Sequence, residues 1–267
     1  MQTVTSKDGA QIAFDKVGSG PAVILINGAM AYRAFDPSIA QLAELLGKHF
    51  TVYNYDRRGR GDSGDTQPFA KEREIEDLQA LLEDTGGKAM VFGISSGAVV
   101  SLDAAAVTPG ITKVVVYEPS LIVDNSRQPV PADYTEHLMT LAAEGKRDEA
   151  VEYFLTQAVG IPPEYIGGMK QDQATWAGMT GVALTIAYDA AFVGTVMQGK
   201  PLPTDRWVEV TLPVLVADGG ASDAWLHHAA DALAKVLPHA SRQTLEGQTH
   251  MVDPNVLAPV IIEFCQK

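Results

Sequence analysis

A serine enclosed by two glycines is the strongest indication of chemistry in this sequence. Residues 93–97 read Gly-Ile-Ser-Ser-Gly, follow the apolar run 89–92 and precede the Ala- and Val-rich segment 98–107. This order predicts a sharp turn from a strand into a helix. Such a turn exposes its central side chain and leaves room only for small residues two positions before and after it. Ser95 is therefore the candidate nucleophile of an acyl-transfer reaction.

A serine hydroxyl needs a base to take its proton, and the chain has six histidines. His250 differs from the others because it follows a predicted last strand, residues 242–245, and precedes a predicted C-terminal helix. A loop at that end of the sheet would hold its imidazole above Ser95. The backbone N–H of Ser96 begins the predicted helix and points towards incoming negative charge, which makes it a candidate oxyanion-hole donor.

The third group of such a site is a carboxylate that orients the imidazole and stabilises its protonated form. Asp223 follows the predicted strand 213–217 and yields the chain order Ser95, Asp223, His250. We therefore expect Asp223 to be the acid, although an Asp at a helix start is also a common N-cap. Glu118 comes directly after another predicted strand, and the alternatives to Asp223 are Glu118, Asp124 and Asp218.

The elements that must position these groups alternate along the chain. Short apolar runs typical of buried strands are separated by segments with helical periodicity, which predicts an α/β fold with a mostly parallel central sheet flanked by helices. The predicted strands are residues 12–17, 22–26, 51–55, 89–92, 114–117, 213–217 and 242–245. The predicted helices are residues 37–46, 69–83, 96–107, 223–237 and 254–264.

Residues 120–206 interrupt this alternation, because they contain helical patterns but no strong strand pattern. Their large apolar side chains are Leu138, Met139, Phe154, Leu155, Tyr165, Met169, Trp176, Met179, Tyr188, Phe192 and Met197. A stretch of this length is too long for a plain connection. We predict a helical cap, residues 120–206, inserted into a core formed by residues 1–119 and 207–267. The large side chains either line a pocket above Ser95 or form the cap's own core.

Three further segments carry a resemblance to a known family. Residues 27–29 read Asn-Gly-Ala after a strand, residues 56–64 read Asp-Arg-Arg-Gly-Arg-Gly-Asp-Ser-Gly, and residues 245–250 end on His250. With the Ser95 turn, they make the chain resemble an esterase-like serine hydrolase of the α/β-hydrolase fold with a helical cap. The resemblance implies that the backbone N–H of Ala29 joins that of Ser96 in an oxyanion hole. The chain departs from the family pattern at Asn27, which stands where a histidine is usual.

Composition excludes several other classes of function. The chain has 20 Lys and Arg against 33 Asp and Glu, a formal net charge of −13, which disfavours nucleic acid and anionic membranes as partners. Its single cysteine, Cys265, forms no intramolecular disulfide and no cysteine-based zinc site. Residues 59–64 fit a dinucleotide-binding pattern, but the next predicted helix begins too late to meet a pyrophosphate. We expect a cytoplasmic protein that acts on a small molecule without a cofactor or metal.

Three functions remain compatible with these residues. The first is hydrolysis of an uncharged, mostly apolar ester, lactone or thioester through an acyl-enzyme on Ser95. The second uses the same site for carbon–carbon bond hydrolysis, lyase chemistry, perhydrolysis or a biosynthetic cyclisation. The third is non-catalytic binding of a small molecule on the same scaffold.

Overall fold

The computed structural model describes all residues, 1–267, and contains one eight-stranded sheet in the order β1-β2-β4-β3-β5-β6-β7-β8. Strand β2 pairs antiparallel with β1 and β4, and the remaining pairs are parallel. The strands are β1 (Gln2–Thr5), β2 (Gln11–Gly18), β3 (Ala22–Ile26), β4 (Thr51–Tyr55), β5 (Ala89–Ile94), β6 (Ile111–Tyr117), β7 (Val214–Gly219) and β8 (Ala240–Leu245). The predicted mostly parallel sheet is confirmed.

The chain also contains ten α-helices. They are α1 (Pro37–Leu46), α2 (Lys71–Asp84), α3 (Ser96–Val107), α4 (Tyr134–Ala143), α5 (Arg147–Phe154), α6 (Pro163–Met169), α7 (Gln173–Gly181), α8 (Ile186–Val193), α9 (Ala224–Val236) and α10 (Pro254–Gln266). No helix by itself is long and apolar enough to cross a bilayer; only α7 and the stretch Ala183–Val196, joined across a bend of 51°, reach that length and composition together.

The two faces of the sheet are covered by different helices. Alternate residues of β3 point to opposite faces, as the period of two of a strand requires. Val23 and Leu25 pack with the apolar residues of α1 and α10, whereas Ile24 and Ile26 belong to the larger cluster with α2, α3 and α9. The continuous apolar sequence of β3 therefore reflects burial on both faces.

The predicted elements agree with the observed ones within a few residues at each end. The exception is β1, which the sequence analysis does not predict. Its four residues are mostly exposed, and pairing with β2 at the edge of the sheet makes them a strand. A short polar edge strand carries no hydrophobic periodicity, so its existence depends on the neighbouring strand.

The connection between β6 and β7 contains α4 to α8 and no strand. Its apolar residues join the same buried cluster as one face of the sheet. Trp176, Met179 and Phe192, three of the side chains singled out in the sequence, are buried there. The division into a core of residues 1–119 and 207–267 and a cap of residues 120–206 stays a prediction.

Candidate active site

Ser95 lies in a strained turn between β5 and α3. Its backbone has φ 60° and ψ −124°, a conformation that costs a side-chain-bearing residue about 1–3 kcal/mol. A Cβ on Gly93 would lie 2.1 Å from Ser101 Oγ, and a Cβ on Gly97 would lie 2.2 Å from the carbonyl oxygen of Ile26. Any side chain at either glycine would therefore clash with these atoms.

The Ser95 hydroxyl is hydrogen-bonded to a second serine that follows β6. Ser95 Oγ and Ser120 Oγ are 3.0 Å apart, and the backbone N–H of Ser120 donates to the carbonyl oxygen of Ser95 at 3.3 Å. His250 lines the same cavity as Ser95 but makes no hydrogen bond to it. Catalytic hydrogen bonds are often long before a substrate binds.

The imidazole of His250 is held by Glu118, directly after β6. His250 Nδ1 lies 2.8 Å from Glu118 Oε2; the carboxylate is fully buried, and the histidine side chain is 44% exposed. The other carboxylate oxygen, Oε1, accepts hydrogen bonds from the backbone N–H of Gly219 at 2.8 Å and from the Ser222 hydroxyl. With φ 43°, Glu118 occupies the left-handed region. These contacts hold Nδ1 against the acid, which leaves Nε2 free to face the cavity.

Asp223, which the sequence analysis assigns to the imidazole, does not contact it. It is exposed at the start of α9 and makes no ion pair or side-chain hydrogen bond to His250. The alternative Asp124 pairs with His228, and the alternative Asp218 is fully buried against His227 and Arg242. In the structure the carboxylate that contacts the imidazole is therefore Glu118 and not Asp223; Glu118 directly follows β6, which lies in the sheet between the strand that leads to Ser95 and β7.

The loop after β7 braces the loop that carries His250. The backbone N–H of Ala221 donates to the carbonyl oxygen of Gln248 at 2.8 Å, and the Tyr117 hydroxyl donates to that of Thr249 at 2.7 Å. A Cβ on Gly219 would lie 2.4 Å from the carbonyl oxygen of Gln248. The loop containing Asp223 thus supports the imidazole through its backbone, even though the aspartate side chain does not reach it.

Ala29 and Ser96, the predicted oxyanion-hole residues, both line the cavity next to Ser95. The N–H of Ala29 has no acceptor within the protein, and that of Ser96, the first residue of α3, has no carbonyl one turn earlier to bind. A Cβ on Gly28 would lie 2.9 Å from Ser95 Cβ, so glycine allows this loop to approach. Asn27 is buried and its side-chain amide has no hydrogen-bond partner.

A buried network of charges, which the sequence analysis does not predict, lies behind these residues. Asp189, on α8, contacts Arg57 Nη1 at 2.6 Å and Arg60 Nη2 at 2.5 Å, and it accepts a hydrogen bond from the Ser96 hydroxyl at 2.7 Å. Arg60 also donates to the carbonyl oxygen of Gly28 at 2.7 Å. The network therefore connects the helices above the sheet to both loops beside Ser95.

The charge of this network is fixed. Burial acts to raise the pKa of Asp189, but the guanidinium groups of Arg57 and Arg60 outweigh it and hold that pKa below its usual value. Arg57 has a second carboxylate partner, Glu74, at 2.6 Å. No sequence signal identifies Asp189, since it lies 93 positions after Ser96 in a segment of mostly apolar residues.

The cavity above Ser95 has a volume of about 400 Å³, and 12 of its 22 lining residues are hydrophobic. Phe154 and Met197 line it, whereas the other large apolar side chains singled out in the sequence do not. No group of three or more His, Cys, Asp or Glu side chains is arranged to hold a metal ion.

A larger groove of about 730 Å³ lies near the start of β3 and β5, away from these residues, and includes Gly20 and Lys88. Ligands of open α/β sheets bind outside the carboxyl ends of the strands. The smaller cavity is at that end, because Ser95 follows β5 and Glu118 follows β6. We therefore take the smaller cavity as the candidate site.

Comparisons with known proteins agree with this architecture. A solved alpha/beta hydrolase from Sphaerobacter thermophilus DSM 20745 is 52% identical, with a TM-score of 0.88 over 99% of this chain and 100% of that chain. A thermophilic esterase from Thermogutta terrifontis has a TM-score of 0.70 at 21% identity, over 99% of this chain and 97% of that one. The enol-lactonase from Burkholderia xenovorans LB400 has a TM-score of 0.71 at 18% identity, over 100% of both chains. The latter two likenesses show a shared fold.

Sequence comparison also reaches a curated relative and a family. An uncharacterised hydrolase of Bacillus subtilis (strain 168) is 34% identical over 119 residues, and this stretch is 43% of each protein. The sequence pattern of the Alpha/beta hydrolase family matches residues 23–259, which is most of the chain. The protein therefore belongs to the alpha/beta hydrolase family and is an enzyme of the hydrolase kind.

Proposed function

We propose that the protein hydrolyses a carboxylic ester, lactone or thioester of a mostly apolar small molecule through an acyl-enzyme on Ser95. The observation that carries the proposal is the pair formed by His250 Nδ1 and the buried carboxylate of Glu118, at 2.8 Å, beside a cavity that also contains Ser95. An imidazole held at one nitrogen by a buried acid is the arrangement that makes its other nitrogen a general base.

The first half of the reaction transfers the acyl group to the enzyme. When a substrate enters, the hydrogen bond between Ser95 and Ser120 breaks. His250 Nε2 takes the proton from Ser95 Oγ, and this oxygen attacks the carbonyl carbon. The N–H groups of Ala29 and Ser96 donate to the developing oxyanion. The intermediate collapses when the C–O or C–S bond breaks and the protonated imidazole gives its proton to the leaving oxygen or sulfur.

The second half repeats these steps with water. His250 takes a proton from water, whose oxygen attacks the acyl carbon, and the bond to Ser95 Oγ breaks as the imidazole returns the proton to the serine. Glu118 keeps Nδ1 protonated throughout and stabilises the imidazolium. The restored Ser95 hydroxyl then forms its hydrogen bond with Ser120 again. The role of Ser120 in the proposal is to hold Ser95 in its resting position.

The alternative functions of this site have less support than ester hydrolysis. Carbon–carbon bond hydrolysis, lyase chemistry, perhydrolysis and cyclisation stay predictions, because no contact of the cavity favours one of them. A non-catalytic binder is not proposed, because the chain belongs to a family of hydrolases. A cytoplasmic location and a small-molecule partner are part of the proposal.

The test combines covalent labelling with turnover. A serine-directed fluorophosphonate is expected to label the wild-type protein at Ser95, located by peptide mass spectrometry, and the wild type is expected to hydrolyse p-nitrophenyl esters. Ser95→Ala is the matched control and should lose both signals while keeping its circular dichroism spectrum. Labelling without turnover of any ester or thioester would contradict ester hydrolysis, and a folded protein that is not labelled would contradict the acyl-enzyme itself.

A further inference from the structure

Arg127 brings a positive charge into the candidate active site. It lies between β6 and α4, lines the same cavity as Ser95 and His250, and is the one arginine or lysine among the lining residues. The mechanism proposed above does not use it. A cation in a mostly apolar cavity is costly unless something compensates its charge.

The guanidinium of Arg127 is held in a defined orientation by the helices above the sheet and by α9. Its Nη2 donates a hydrogen bond to the carbonyl oxygen of Ala158, and its central carbon lies 4.5 Å from the centre of the Trp225 ring. A Cβ on Gly160 would lie 3.1 Å from Nη2, so a glycine leaves room for the guanidinium. An arginine stacked on an aromatic ring is pre-organised for a planar ligand.

No carboxylate of the protein neutralises Arg127. Arg57, Arg60 and most other arginines have a carboxylate within ion-pair distance, whereas Arg127 has none. Only one of its five N–H donors is used within the protein, and none of its nitrogens is sealed off from solvent without a partner. Burial lowers the pKa of Arg127, opposed in part by Asp223 and Tyr134.

Four acidic residues also line the cavity, and three of them are committed to other groups. Glu118 holds His250, Asp189 is paired with Arg57 and Arg60, and Asp36 caps α1 by accepting hydrogen bonds from two of its N–H groups. Asp223 is exposed and makes no ion pair. It is the one acidic group that competes with an incoming anion for the charge of Arg127.

We infer that Arg127 binds a carboxylate of the substrate, so that the ester, lactone or thioester cleaved at Ser95 carries an acid group elsewhere in the molecule. A single planar fork matches a carboxylate. It would not balance a phosphate dianion in a cavity that also contains Asp223 and Asp36. This inference rests on the proposed function, and it replaces the uncharged substrate expected from the sequence with a monoanionic one.

The first experiment compares substrates that differ only in charge. Matched pairs are p-nitrophenyl half-esters of adipate, pimelate and suberate, and the same esters with the free carboxylate replaced by a carboxamide. For at least one chain length, we expect wild type to have the higher kcat/KM with the carboxylate. Arg127→Met should lower the carboxylate-to-carboxamide ratio of kcat/KM by about 10- to 100-fold, the value of a charge-assisted hydrogen bond lost from a partly buried site.

Two further variants test how this ratio depends on the shape of the cation and on the charge beside it. Arg127→Lys keeps the charge but loses the planar fork, so its ratio should lie between those of wild type and Arg127→Met. Asp223→Asn removes the competing carboxylate and should raise the ratio by about two- to five-fold at low salt, since a nearby exposed charge is worth a fraction of a kcal/mol to about 1 kcal/mol. A ratio that is the same in wild type and Arg127→Met would overturn the inference.

The second experiment does not depend on turnover. Titration calorimetry of Ser95→Ala should detect the monoamide of adipate, pimelate or suberate, which keeps one carboxylate, binding more tightly than the corresponding diamide. The double variant Ser95→Ala/Arg127→Met should lose that preference while its melting temperature stays close to that of Ser95→Ala.

Together, the two experiments distinguish a failure of the anion site from a failure of the proposed hydrolysis. Equal binding of monoamide and diamide to Ser95→Ala would overturn the role of Arg127, even if wild type hydrolyses the carboxamide esters. Loss of all turnover and of fluorophosphonate labelling, with carboxylate binding retained, would overturn the proposed function and leave the anion site standing.

Discussion

Two groups of polar side chains lie near Ser95 and differ in how their charge is balanced. The acid–base cluster consists of Glu118, His250 and Ser222, and its carboxylate receives only uncharged donors unless the imidazole gains a proton. The Asp189 network consists of Asp189, Arg57, Arg60 and Ser96, and its carboxylate faces two permanent cations.

The two groups of side chains also differ in their exposure to solvent. His250 is 44% exposed and so can exchange protons with substrate and water. The side chains of Arg57, Arg60 and Asp189 are 3% exposed or less. Guanidinium groups do not lose their protons in proteins, whereas an imidazole can gain and lose one.

In the proposed mechanism, one cavity therefore combines proton transfer with rigidity. The side that moves a proton pairs a carboxylate with a group whose charge can change. The group next to the proposed oxyanion-hole donors, Ala29 and Ser96, uses ions whose charge does not change near neutral pH, so that the positions of these donors do not depend on the protonation of the base. Four predictions test this division, beginning with the largest effect.

Removing the nucleophile or the base should have the largest effect. Ser95→Ala and His250→Ala should each lower kcat by about 10⁴-fold or more, because each removes proton transfer and acyl formation together. The double variant should be nearly as active as either single variant, since groups that act as a unit do not add. Steady-state kinetics on one p-nitrophenyl ester measures all three; additive losses would break the assignment of both residues to one step.

The carboxylates of Glu118 and Asp223 can be compared directly, because each is replaced by its own amide. Glu118→Gln should lower kcat by up to about 10⁴-fold, because the amide does not hold the imidazole in the correct tautomer. Asp223→Asn should change kcat with a neutral ester by only a few-fold, since its side chain does not contact His250. The reverse ranking of these two variants would return the role of the acid to Asp223.

Breaking the Asp189 network should lower stability by more than it lowers activity. Asp189→Ala leaves Arg60 buried without a carboxylate and should lower the free energy of unfolding by about 3–5 kcal/mol. Glu263→Ala, which breaks the exposed pair with Lys267, is the control and should cost far less, because solvent screens an exposed ion pair. Denaturant unfolding measures both; equal losses would contradict a special role for the buried network.

The pH dependence of stability should distinguish the network by its sign. The pKa of Asp189 is held below its usual value, so its charge stabilises the fold above the ordinary pKa of aspartate and this contribution is lost as the pH falls through the lowered pKa. The difference in unfolding free energy between wild type and Asp189→Asn should therefore stay constant from about pH 5 to pH 8 and shrink only below about pH 4. A difference that changes near pH 6 to 7 would point to a histidine instead.

Local patterns predicted the parts of this protein that depend on a few neighbouring residues. The glycines on either side of Ser95 leave the space that the turn requires, and their spacing is visible in the sequence. The apolar runs of β3 and β5 are buried on both faces and were predicted because burial on both faces leaves no polar positions. The position of His250 after the last strand followed from the same alternation.

The choice of acid could not be made from the sequence. Asp223 and Glu118 both follow strands and both precede His250, so chain order does not separate them. The separation depends on the order of strands in the sheet and on side-chain reach, which bring Glu118 against an imidazole 132 positions away. Asp189 and Arg127 carry even less signal, because a buried charge in a mostly apolar helix or an unpaired arginine in a loop is defined only by what surrounds it.

The amino-acid sequence by itself determined seven of the eight strands, the strained turn at Ser95 and the end of the molecule at which chemistry would occur, since these depend on spacing and periodicity along short segments. The tertiary structure decided which carboxylate holds the imidazole, which charges lie behind the oxyanion loops and which cation faces the cavity. The physical reason is that electrostatic pairing acts over a few ångströms in space, whereas the residues concerned are about 100 positions or more apart in the chain.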